Sequence, residues 1–171
     1  GDFLYSRSFE LMVTLGNLEV MAILAGATNV IAEGEVLQLT NIRNPNLSEA
    51  DYRRVIHAKT AMLFQAAAQA AAVLAGASAA MQSELRDFGS DLGMAFQLID
   101  DVLDYAGDAE KIGKNVGDDL AEGKVTLPLI EAMRRAPPDD VQIIRKAIRS
   151  GGVEDMSEVM RIVNETAALD H

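Results

Sequence analysis

Residues 61–80 read AMLFQAAAQAAAVLAGASAA, and eleven of these twenty positions are alanine. Alanine has the highest helix propensity, and its small side chain lets one helix lie close against another. The stretch therefore predicts a helix inside an all-α packed bundle. A membrane span is the competing reading of the same run. It is set aside because Gln65 and Gln69 interrupt the run and alanine is only weakly apolar.

The rest of the composition supports a globular, helical reading. The chain has 171 residues, 49% of them apolar but only 5% aromatic, and it has no Trp. That length suits a single domain over residues 1–171 with one sizeable core. A net charge of −11 argues against nucleic-acid binding through basic patches, and the lack of Cys excludes disulfides and thiolate metal sites. The opening GDFLYSRSFELMV is too short and too charged for a signal peptide, which sets a cytoplasmic expectation. The abrupt start and finish, GDFLYSR and NETAALDH, read as the ends of a fragment.

Turn signals divide the chain into helices. A first apolar-periodic run spans Phe3 to about Leu15 and stops at Gly16; a second spans about Leu18 to Leu39 and ends at NIRNPN (41–46). Ser48 with Asp51 makes a capping box for a helix from about Glu49 to Ala75, with Gly76 as its stop. Ser78 opens a further helix to about Tyr105. Residues 107–125 are polar, hold four glycines and read as an ordered loop or short turns. Short helices follow at about 127–135, 139–149 and 153–168, and no segment alternates as a strand would.

The chemistry concentrates in FQLIDDVLDYAGDAEKIGKNVGDDLAEGK (96–124). Helical spacing stacks Asp100 and Asp104 one turn apart, with Gln97 a turn earlier and Asp101 beside them. Phe96, Ile99, Val102 and Leu103 on the other face are expected to form a core stripe. Carboxylates one turn apart offer the hard oxygens that Mg²⁺ prefers, but the same pattern also suits a solvated acidic face. Lys114 and Lys124 frame GDDLAEG, and Lys59-Thr60 lies in a helix otherwise heading for the core. A lysine there is costly unless it snorkels or meets an anion, so the combination suggests a diphosphate held through bridging metal. The glycine spacing of GDDLAEGK rules out a P-loop, and Ile112 at a ligand position rules out an EF-hand. His57 and His171 assemble no catalytic triad or zinc site.

These residues resemble a family. GMAFQLIDDVLDYAGDAEKIGKNVGDDLAEGKVTLPLI (93–130) is similar to the second aspartate-rich region of the trans-isoprenyl diphosphate synthases, or polyprenyl synthetases. A Gly, Phe-Gln, D-D-x-x-D, a Lys before Gly-Asp-Asp, and G-K-x-T-x-P all occur in order. AKTAMLF (58–64) resembles the family's Lys-Thr motif. GDFLYSRSFELM (1–12) and IAEGEVLQLTNIRNPNLSEADY (31–52) look most like the long-chain, octaprenyl-type bacterial members.

The resemblance implies a class I isoprenoid synthase helical bundle around an apolar cleft. It implies prenyl transfer from an allylic diphosphate, such as farnesyl diphosphate, to isopentenyl diphosphate, with Mg²⁺ as cofactor and a homodimer as the usual assembly. By the same resemblance, Asp100, Asp101 and Asp104 form the metal set. Lys59, Lys114 and Lys124 contact the allylic diphosphate, with Thr60 and Gln97 nearby. One family feature is missing: the only D-D pairs are 100–101, 118–119 and 139–140, so the first aspartate-rich motif does not occur in this chain. The chain is therefore expected to be the second half of a longer enzyme, incomplete at its N-terminus and inactive alone. A non-catalytic partner subunit is the alternative.

Overall fold

The computed structural model describes residues 1–106, 117–152 and 154–169, and every regular element among them is helical. Helix α1 (Asp2–Leu15) ends at Gly16, whose backbone N–H caps Val13, and α2 runs Leu18–Thr40. At the start of α3 (Glu49–Ile56) the expected capping box forms. The Asp51 N–H donates to Ser48 Oγ at 3.1 Å, and that hydroxyl donates to the Asp51 carboxylate at 2.7 Å. After α4 (Met62–Leu74), the Ser78 hydroxyl accepts the Met81 N–H at the start of α5 (Ala79–Ala106). The remaining helices are α6 (Asp118–Ala121), α7 (Leu127–Arg135), α8 (Pro138–Ser150) and α9 (Met156–Glu165).

The single helix expected over 49–75 departs from its pattern at one place. Residues His57–Ala61, which include the Lys-Thr pair, form a π-helical turn between α3 and α4. Gly34 of α2 lies against it so closely that a Cβ there would stand 2.8 Å from the Lys59 backbone nitrogen. A π turn adds one residue to the helical repeat without changing composition, so apolar spacing alone does not reveal it.

The backbone groups into two compact units: Gly1–Gly34 with His57–Met94, and Glu35–Ile56 with Ala95–His171. In the first, small residues bring helices together. A Cβ on Gly93 would stand 2.5 Å from Ala61 Cα, and one on Gly89 would stand 2.6 Å from the Phe64 carbonyl oxygen. Val20, Ala70 and Val73 form a core cluster there with Ile23 and Leu24 packed on it. In the second unit α7, α8 and α9 pack on one another, and α7 also meets α3. Leu120, Leu129, Ile144, Ile148, Val159 and Ile162 are fully buried in it.

The alanine-rich run 61–80 is not the most membrane-like segment. Among the described residues only α2 is long and apolar enough to cross a membrane, by length and composition.

Candidate active site

Helix α5 carries the three aspartates, and it is turned opposite to the expected way. Phe96, Ile99 and Leu103 are exposed, whereas Asp101, Asp104 and Tyr105 are buried. The predicted core stripe is therefore not core in this chain. Periodicity shows that the helix has two faces, and in this chain hydrogen-bond donors meet the carboxylates.

Three of those donors meet the carboxylates and one meets the Asp104 backbone carbonyl, all within the second unit. The Tyr52 hydroxyl, on α3, donates to Asp101 Oδ2 at 2.6 Å, and Gln97 Nε2 donates to Asp101 Oδ1 at 2.7 Å. The backbone N–H of Asp119 donates to Asp104 Oδ2 at 3.3 Å, while the Gly117 N–H donates to the Asp104 carbonyl at 2.9 Å. Asp100, next to Asp101 in the chain, is half-buried.

Burial and repulsion from neighbouring carboxylates make Asp101 and Asp104 harder to ionise. Desolvation pushes Asp101 up to about 6 against the hydrogen bonds from Tyr52 and Gln97, with Asp119 and Asp100 adding repulsion. Asp104 is likewise raised to about 6, first by burial and then by the Asp119 charge. Burial and the adjacent Asp101 charge hold the Tyr52 phenol firmly neutral, so it remains a donor.

Lys124 supplies a counter-charge to Asp119. Its ammonium lies 2.9 Å from Asp119 and 2.7 Å from Glu122. Burial works against the charge, but those two carboxylates outweigh it and keep the lysine protonated. The preceding Gly123 has φ +82°, and a Cβ there would stand 3.0 Å from Ile42 Cγ2. A side chain at this position would be both strained and obstructed, which accounts for glycine before the lysine. Thr126 of the same motif is buried, and neither its hydroxyl nor that of Tyr105 meets hydrogen-bond geometry among the described residues.

Of the other expected site residues, Lys59 and Thr60 lie half-buried on the π turn of the first unit. Lys114 lies outside the described residues, as does His171. Among the described residues no three acidic or histidine side chains are arranged as a metal cage. That is compatible with Mg²⁺, which is commonly held by one or two carboxylates together with substrate phosphates and waters. The hard carboxylate oxygens of Asp100 and Asp104 are of the kind such an ion prefers.

Sequence reasoning missed Tyr52 and Asp119. Tyr52 shares the buried face of α3 with Val55 and Ile56, so its spacing marks it as core but does not reveal its partner.

The polyprenyl synthetase family model matches residues 1–166. The chain belongs to the polyprenyl synthetase family. This polyprenyl synthetase chain is 53% identical over 172 residues to the octaprenyl diphosphate synthase of Haemophilus influenzae, covering 100% of this chain and 52% of that protein. It is 46% identical to an all-trans-nonaprenyl-diphosphate synthase of Rhodobacter capsulatus, over 100% of this chain and 52% of the relative. Among solved structures, a Caulobacter crescentus polyprenyl synthase complexed with calcium and isoprenyl diphosphate superposes with a TM-score of 0.93 at 48% identity. The match covers 99% of this chain and 52% of that one. The chain thus spans about half the length of the relatives it matches, and its fold is the all-helical fold of the isoprenyl synthases.

Proposed function

We propose that the whole protein is a trans-polyprenyl diphosphate synthase that extends an allylic diphosphate with isopentenyl diphosphate to a long, octaprenyl-like product for quinone side chains. The observation that carries this reading is the gathering of Asp100, Asp101 and Asp104 with Asp119 and protonated Lys124. It lies in a chain that matches octaprenyl synthases closely.

Asp100 and Asp104 would hold Mg²⁺, with Asp101 supporting them. When bound, the ion neutralises charge that develops on the departing diphosphate. Lys59, Lys114 and Lys124 would bind the allylic diphosphate, with Thr60 and Gln97 beside it. Lys124 enters as a fixed cation, because Asp119 and Glu122 keep its proton in place. The exposed apolar residues of α5, Phe96 and Ile99 among them, suit a wall against the prenyl chain and would exclude water from the carbocation.

We also propose a cytoplasmic location for the enzyme. We treat residues 1–171 as part of one family domain, because the family match runs through both units.

The test is incubation of the full-length protein with farnesyl diphosphate, isopentenyl diphosphate and Mg²⁺. Chain elongation is expected, along with its loss in Asp100→Ala, by at least about 100-fold if the metal-held charge is the main electrostatic contribution. A full-length protein without elongation, and without a second D-D-x-x-D, would instead be the partner subunit.

A further inference from the structure

Both oxygens of Asp101 are already engaged. Oδ2 accepts from Tyr52 at 2.6 Å and Oδ1 from Gln97 at 2.7 Å, and Asp101 and Tyr52 are only 2% and 3% exposed. Tyr52 stands 49 residues away in sequence, on α3, so this bond ties two helices together. Asp100 follows Gln97 by three residues and Asp104 follows it by seven. Turning Asp101 inward therefore sets the rotation of α5 about its axis, and with it the direction of both neighbouring carboxylates. The bond to Gln97 also settles that amide. An ionised carboxylate accepts only, so Gln97 must present its NH₂ group to Asp101 and keep its carbonyl for other partners.

We propose that Tyr52 is a positioning residue for prenyl transfer, acting through Asp101 to aim Asp100 and Asp104 and to orient Gln97. This rests on the function proposed above. Asp101 is then a support within the aspartate motif, and its charge holds the helix in register. A phenol suits this task. It is rigid, it donates a single short charge-assisted hydrogen bond, and the packing of α3 locks its ring. Partners that orient metal-holding groups typically matter by about 10–100-fold in metal affinity or activity.

The experiment compares full-length wild type, Tyr52→Phe, Asp101→Asn and the double variant. The first readout is calorimetric titration of Mn²⁺ in the presence of inorganic diphosphate, which requires no turnover. Tyr52→Phe is expected to weaken binding about tenfold, and kcat to fall about 10–100-fold where elongation is measured. KM for isopentenyl diphosphate should change less than about twofold, since a misaimed metal site leaves the acceptor alone. If Tyr52 acts through Asp101, adding Tyr52→Phe to Asp101→Asn should cost little more.

Unchanged Mn²⁺ affinity in Tyr52→Phe, or full multiplication of the two effects in the double variant, would overturn the proposal. If Tyr52→Phe does not fold, Asp101→Asn decides against Asp100→Asn. A positioning role requires Asp101→Asn to retain at least about tenfold more Mn²⁺ affinity than Asp100→Asn, and equal losses overturn it. A wild type that binds Mn²⁺ and diphosphate but elongates nothing defeats the enzymatic reading while still testing Tyr52 by titration.

Discussion

Asp101 and Asp104 are carboxylates that folding takes out of water, and their raised pKa values make a signed prediction. An unfolded aspartate titrates near 3.9, while both groups titrate at about 6 in the folded chain. Between these values the folded state binds more protons than the unfolded state, so stability falls as pH rises. The contribution is full below about 4 and lost above about 6, on the order of 3 kcal/mol for Asp101 and less for Asp104, whose carboxyl is more open to screening by water. Metal-free protein is thus expected to gain stability from these two sites as pH drops from 7 to 5. Denaturant melts at both values, repeated on Asp101→Asn and Asp104→Asn, should show the gain shrinking in each variant. An equal pH response in wild type and variants would contradict the burial argument. The motif makes the pair visible in sequence. Its desolvation is not, because Tyr52 and the Asp119 backbone reach it only in the folded chain.

At the scale of elements, most helix boundaries are legible because local chemistry sets them. Ser48 with Asp51, Ser78, Gly16 and the Pro137-Pro138 pair all mark helix ends in the structure. The preference for small residues is legible too, and it has a measurable consequence on α5. Gly93→Ala would place a Cβ 2.5 Å from Ala61 Cα, so the two helices must part. We expect a loss of about 1–3 kcal/mol, as for other overpacked sites. Gly26, inside α2, has nothing within 4 Å of an added Cβ. Gly26→Ala should therefore stabilise by about 0.5–1 kcal/mol through helix propensity alone. Urea midpoints of the two variants should move in opposite directions. Equal shifts would mean that propensity, and not helix contact, governs both sites. The π turn at His57–Ala61 stays hidden from such reasoning; it lies against Gly34, a contact between residues far apart in the chain.

For this chain as a whole, the exposed apolar residues of α1 and α2 are the telling feature. Phe3, Leu4, Val13 and Leu18 of α1 and α2 are 77%, 72%, 63% and 80% exposed, more than isolated surface residues require. We expect a second copy to cover this surface in the full-length protein. Sedimentation should show a dimer that Leu4→Glu with Leu18→Glu shifts towards monomer, whereas an unaltered dimer would place the interface elsewhere. What the sequence determines by itself is whatever depends on residues near one another along the chain. That includes the helices, their caps, the one-turn stacking of Asp100 and Asp104, and the ordered motifs that mark a polyprenyl synthetase. What only the tertiary structure decides is which face of α5 is covered, that Tyr52 grips Asp101 across 49 residues, and that Lys124 is held by Asp119. The reason is physical. Helical periodicity follows from covalent geometry and exists before packing, whereas the partner of a buried carboxylate is chosen when distant segments compete to satisfy its charge.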